Sequence, residues 1–293
     1  MTVLEDPRAA APQRQRGQAH ARRGRRDWTA IRIVMAKDLT AVRRSKAIMI
    51  PMIAVPALLM VVMPLGLGTF ARAAPTDQVT NALDSPLVRD MVQPILDLPE
   101  RSRIVVLVLG YLLSPLLLVI PLMVSAVLAA DAFAGEKERR TLEGLLHLPI
   151  EDRDLFTAKV LGAFIPAVAI TLTGAVLYAL ICNVVAWPVL GRPFLPFTQW
   201  TIVMLWVAPA VALLALGLLV IVSSRAKTTQ EANQLGGAVI LPLIFLVAAQ
   251  ASGLLLAPPV AVVLVGAFIW GIALVLVGVN GRRFTRDRLA TNS

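Results

Sequence analysis

Between residues 131 and 159 the chain reads DAFAGEKERRTLEGLLHLPIEDRDLFTAK. Seven acids (Asp131, Glu136, Glu138, Glu143, Glu151, Asp152, Asp154) and five bases (Lys137, Arg139, Arg140, Arg153, Lys159) fall within it. It is the one long charged run flanked on both sides by apolar runs of more than twenty residues. A run of about twenty apolar residues is what a helix needs to cross roughly 30 Å of hydrocarbon. The stretch therefore reads as a loop between two membrane spans.

The rest of the chain fits that reading. Hydrophobic residues make up 57% and charged residues 16% of the 293. Ordinary soluble domains hold about 45–50% and about 25%. The apolar excess is gathered into six runs, at residues 47–70, 104–130, 160–186, 200–222, 235–256 and 260–279. No ten-residue alternating segments of a membrane β-barrel occur. The expected fold class is an all-α membrane protein with six transmembrane helices spread over residues 47–280. Pro51, Pro56, Pro64, Pro115 and Pro121 lie inside the first two spans and predict kinks.

Residues 1–26 carry seven arginines and no apolar period, which predicts a disordered basic tail. Its early charges are not followed by the apolar core of a signal peptide. Within 27–46, Trp28, Ile31, Met35, Leu39 and Val42 recur at helical spacing. Arg32, Lys37, Arg43, Arg44 and Lys46 leave this face for water or headgroups, and Asp27 stands where a cap belongs. This predicts an amphipathic interfacial helix; a cytosolic extension of the first span fits the same residues. Residues 71–103 form a polar loop, in which Val88, Met91, Val92 and Ile95 allow a short surface helix. Residues 187–199 read as a short turn with an aromatic belt of Trp187, Phe194, Phe197 and Trp200. Residues 281–293 are a second basic tail.

Charge sets the orientation. With both termini cytoplasmic, the inner segments hold 23 of the 28 lysines and arginines and the outer segments hold five. Positive charge marks the cytoplasmic side of a multi-span chain. The net charge of +10 thus belongs to orientation and anionic lipid rather than to nucleic acid.

Several chemistries find no residues. There is no phosphate-binding G-x-x-x-x-G-K-[ST] loop and no H-E-x-x-H. His20 and His147 are the only histidines, and Cys182, inside an apolar run, is the only cysteine. No catalytic, cofactor-binding or metal-binding set can be assembled. The span middles hold no ionisable residue, with Arg72, Asp131 and Lys159 at the edges. Proton relays usually place such groups inside. A secondary transporter is disfavoured by this, although broken helices can bind ions through carbonyls alone. A membrane scaffold or assembly protein stays open.

Inside the opening stretch, Glu136–His147 has high helix propensity and an apolar patch of Leu142, Leu145 and Leu146. Pro149 stops that helix, and Glu151 or Asp152 can cap the next, which carries Leu155, Phe156 and Lys159 into the third span. A short helix held between two spans is a mechanical handle.

These residues resemble the permeases of type 2 ATP-binding cassette exporters. The family pattern is an acidic pair, Thr-Leu-Glu, two apolar residues, Pro, and a capped helix ending in Lys. Glu136, Glu138, Thr141, Leu142, Glu143, Leu145, Leu146, Pro149 and Lys159 match it. Arg140 departs from it, standing where a small residue is common. The Thr-x-Glu-Ala-x-Gln-Leu of the second inner loop (Thr228, Glu231, Gln234, Leu235) is a second match, although it reads equally well as a plain helix cap. Lys37-Asp38-Leu39 with Arg43-Arg44 resembles the family's surface helix. The resemblance implies a permease dimer, homo- or heteromeric, in the cytoplasmic membrane, bound to separate ATPase subunits. ATP would be bound and hydrolysed there, so this chain is expected to be no enzyme and to hold no cofactor. The helix of Glu136, Glu138, Arg139, Thr141, Leu142, Glu143, Leu145 and Leu146 would be the coupling helix on that ATPase, and substrate would move outward.

Overall fold

A computed structural model of the chain describes residues 26–73, 97–132, 150–225 and 257–283. All regular structure among these residues is helical. Five helical segments are long and apolar enough to cross a membrane: Ile48–Ala73, Arg101–Ala130, Asp152–Leu190, Thr198–Ile221 and Pro259–Arg282. They correspond to expected spans one to four and six. The expected span at 235–256 and the short helix expected near 88–95 lie outside the described residues, as do the 1–25 part of the tail and residues 284–293.

Helix α1 (Trp28–Arg44) begins at Asp27, whose carboxylate accepts hydrogen bonds from the Thr29 and Ala30 amides at 3.1 Å. Arg43 and Arg44 sit in its last turn, where cations complement the helix dipole. Ser45 is extended and breaks the chain between α1 and α2 (Lys46–Ala57). The first span then passes through a wide π-helical turn, Leu58–Val62, into α3 (Met63–Ala73). That turn is bracketed by Pro56 and Pro64, each of which lacks an amide to continue the ladder.

The second span is broken in the same manner. After α4 (Glu100–Val106), a π-helical turn (Leu107–Leu112) and a 3₁₀ turn (Ser114–Leu118) lead into α5 (Val119–Ala130). The Leu113 amide bonds to the Val108 carbonyl, which releases the Leu109 carbonyl. In hydrocarbon a released backbone group needs a new partner. Here the Ser114 hydroxyl donates to it at 3.2 Å, and so does the Tyr178 hydroxyl from the third span.

The third span, α6 (Asp152–Leu190), has 39 residues and would extend about 58 Å at 1.5 Å per residue. It exceeds the roughly 30 Å of hydrocarbon, so its ends project beyond it. It continues four residues past the expected end at 186, taking Trp187 out of the connecting turn. Gly191 then ends it in a left-handed conformation, φ 63°, with its amide on the Trp187 carbonyl. The loop that follows is pinned by Asn183. Its side-chain oxygen accepts from the Phe194 and Leu195 amides, and its nitrogen donates to the Leu195 carbonyl at 2.7 Å. The expected aromatic belt is divided: Trp187 is exposed, Trp200 is in the core, and Phe197 stacks on Tyr111 with centroids 5.2 Å apart.

The fourth span runs from α7 (Thr198–Ile202) through a π-helical turn (Val203–Val207) into α8 (Ala208–Arg225), and the last is α9 (Pro259–Arg283). Helix α8 buries Ala208, Ala210, Ala212 and Ala215 and packs against α5 and α9. Small side chains let backbones approach where no water drives association. Asn280 donates to the Gly217 carbonyl at 2.8 Å, and Trp270 to the Trp206 carbonyl at 3.0 Å. The main core joins residues from all five spans.

Candidate functional site

The described charged residues that flank the 133–149 segment lie at one end of this bundle. Asp131 ends the second span, Lys159 lies two turns into α6, and α1 lies across the start of α6. Gly281, near the end of α9, faces the ring of Phe156. The ends of α1, α5, α6 and α9 thus share a base, and the Asn183 loop is at the other end.

A small core of its own docks α1 on this base. Ile31 and Val34 of α1 pack with Ile150, Leu155 and Ala158, and Ala30, Met35 and Leu161 border them. Ile31 is 1% exposed. The stripe expected on the membrane is therefore split. Ile31 and Val42 are buried in protein, while Trp28 and Leu39 are exposed. The dock is closed by a polar contact: the Asp27 amide donates to the Asp154 carboxylate at 3.0 Å. Asp154 is thereby buried although it lies in a charged run. At the cap position of α6, Glu151 makes no side-chain capping bond.

Behind α1 lies a compact set of charges. Lys159 is 1% exposed, and its ammonium donates to the Ala132 carbonyl at 2.5 Å. Asp38 and Asp131 line the same small cavity as Lys159, with Leu128 and Gly162 on its apolar side. Lys37 pairs with Asp38 at 3.5 Å. Lys159 and Asp131 were placed at span edges from sequence, and the structure puts both inside the protein. A local signal for this existed: Lys159 stands four residues after Leu155 and three after Phe156, on the face those side chains bury. The Asp27–Asp154 contact had none, because 127 residues separate the pair.

Among the described residues no group of His, Cys, Asp and Glu is arranged to hold a metal. Cys182 is buried in the core. The expected coupling residues Glu136, Glu138, Arg139, Thr141, Leu142, Glu143, Leu145 and Leu146, and the second-loop residues Thr228, Glu231 and Gln234, lie outside the described residues. What the structure provides is the frame on either side of the first group, from Ala132 to Ile150.

The sequence model of the ABC-2 family transporter proteins matches residues 32–262. The chain belongs to that family. It is a permease subunit of an ATP-binding cassette transporter, a multi-pass membrane protein. An ABC-2 permease is the transmembrane component and not the catalytic one, and the family implies an associated ATP-binding cassette subunit. The match runs from Arg32 in α1 to Val262 in α9, so Lys159, Asp131, Asp38 and Asp154 of the base fall within it, while Asp27, Ile31 and Gly281 lie outside it. No curated protein matches the chain.

Proposed function

We propose that this permease is an exporter, driven by ATP that a separate subunit binds and hydrolyses at its cytoplasmic face. The observation that carries the reading is the placement of the charged 131–159 stretch. It leaves the second span and re-enters the third at the base where α1 docks, with its two flanks joined by the Lys159–Ala132 bond. A segment held at both ends transfers a push to the spans instead of absorbing it.

In this reading the chain has six spans in the cytoplasmic (inner) membrane with both termini in the cytoplasm, in keeping with the excess of bases in the inner segments. The 136–147 helix seats on the ATPase, Leu142, Leu145 and Leu146 entering an apolar groove. Glu136, Glu138, Arg139, Thr141 and Glu143 set its register, and Thr228, Glu231 and Gln234 of the second inner loop are a second candidate group. Two permeases, identical or not, form the path. The outer faces of Ile48–Ala73 and Pro259–Arg282 expose Ile53, Val62, Phe70, Leu264, Phe268 and Val275, surfaces suited to lipid or to a second permease. Apolar spans free of charge fit drugs, lipids or other amphiphiles as cargo, and equally an ion passing polar backbone. Trp28 and Leu39 on α1, beside Arg32 and Arg43, meet the membrane interface.

The test is capture of the C-terminally tagged chain from mild detergent, with mass spectrometry of what accompanies it. The wild type is expected to bring an ATP-binding cassette subunit, and the Glu136→Lys, Glu138→Lys, Glu143→Lys triple variant to lose it. Retention by both keeps the exporter and moves the contact elsewhere. Absence from the wild type in every detergent sinks the reading in favour of a secondary transporter or scaffold.

A further inference from the structure

One residue at the base does more than its place in a charged run requires. A fully buried ammonium is strongly penalised unless it is hydrogen-bonded and faced by opposite charge. Lys159 has both. Its Nζ lies 2.5 Å from the Ala132 carbonyl, in the π-helical residues 131–132 that follow α5. Asp131 and Asp38 line its cavity, one from the second span and one from α1. A single side chain of the third span thus bonds to the end of the second span and shares its cavity with Asp38 of α1.

The chain positions matter as much as the chemistry. Ala132 and Lys159 are 27 residues apart and bracket the charged segment. Helix α1 is fastened to the same place by two further contacts, the Ile31–Leu155 core and the Asp27–Asp154 bond.

We propose that Lys159 is a positioning residue: it pins the second and third spans to each other and to α1, so that displacement of the segment between them moves all three as one body. The inference rests on the exporter reading for the source of the displacement, and on the Lys159 geometry alone for the pin. Without the pin, a push on 133–149 would be spent in separating the two spans rather than in moving them.

Replacing Lys159 alone would leave Asp131 buried beside an apolar side chain, so the decisive variant is Lys159→Met with Asp131→Asn. It removes the pin and its nearest charge on the second span together, and Asp38 keeps Lys37. Two amide hydrogen-exchange readouts separate the pin from its use. The first is exchange at residues 128–132 in the full-length permease without nucleotide. There the variant is expected to exchange about tenfold faster than wild type, as the end of α5 loses its anchor. The second is made on the complex captured with its ATPase, as the exchange difference at residues 107–118 between vanadate-trapped and nucleotide-free states. The variant is expected to keep the ATPase and its hydrolysis while this difference falls about tenfold, a usual size for coupling between sites. A variant with wild-type values in both readouts overturns the proposal and leaves Lys159 as a charge balance only. Faster exchange at 128–132 with an undiminished nucleotide response overturns its coupling role. If the wild type captures no ATPase, the exporter reading falls, and the first readout alone decides whether Lys159 is a pin. Should the double variant not accumulate, Lys159→Gln, which removes the charge and shortens the reach by one atom, is scored by the same outcomes.

Discussion

Tyr178 and Ser114 meet over one carbonyl, and that carbonyl explains how the second span tolerates its break. The released Leu109 oxygen has two donors where a helix would have provided one. Loss of either leaves it satisfied, and loss of both strands a buried acceptor. Tyr178→Phe and Ser114→Ala are each expected to cost about 0.5–1 kcal/mol, and the pair about 2 kcal/mol or more. Thermal unfolding of the purified chain in detergent, run as a double-mutant cycle, checks this; strict additivity would count against the shared-acceptor account. Asn183, five residues further along α6 at the same end, holds three backbone groups of Phe194 and Leu195. Asn183→Ala is expected to raise chymotryptic cleavage after Phe194 by at least about tenfold, since each bond is worth about 1 kcal/mol. The spans themselves should hold, so cleavage confined to this loop is the expected pattern.

At the level of the element, α1 divides its apolar stripe between a buried side and an exposed one. Its period was legible, and so was Asp27 as its cap. Its apolar stripe was read as facing lipid, yet Ile31 and Val42 face protein. Periodicity reports that a face is apolar and says nothing of what covers it. If the Ile31 core holds α1 in place, Ile31→Ala should cost about 2–4 kcal/mol locally. Trypsin would then cut after Arg32 and Lys37 far faster than in the wild type, with the spans left whole. Unchanged cutting would mean that the membrane, and not α6, retains the helix. The α8–α9 pair has the same short-range logic. A Cβ added at Gly266 would lie 2.4 Å from the Trp206 ring, whose nitrogen donates to Val263 at 3.2 Å. Gly266→Ala must displace a rigid indole and break that bond, an expected cost of about 1–3 kcal/mol. A lowered unfolding temperature with a shifted Trp fluorescence spectrum is the signature to seek.

At the scale of the molecule, the base and the Asn183 end have different characters. The base carries a small apolar core, a buried lysine and two buried aspartates joining α1, α5 and α6. The other end is a loop held by one asparagine and an aromatic stack. On the proposed reading, in which energy arrives from a cytoplasmic subunit, stiffness belongs where the push enters. The triple charge reversal at Glu136, Glu138 and Glu143 and the Lys159 exchange experiment address that claim from its two sides, contact and transmission.

The class, the family and the places of the five described spans were legible in the sequence alone. Those follow from local properties: runs of apolar residues long enough to cross hydrocarbon, prolines that break them, and a Thr-Leu-Glu motif read along one short segment. Boundaries differed only at the ends, where α6 runs on to Leu190 because nothing before Gly191 stops it. Only the tertiary structure decided which charges are solvated and which are buried. Lys159 and Arg153 look alike in the chain, yet one is inside the protein and the other on its surface. The same holds for Asp154, buried by a contact with a helix that begins more than a hundred residues earlier. Burial is set by what packs on a face from elsewhere in the chain, and no reading of neighbouring residues contains that partner.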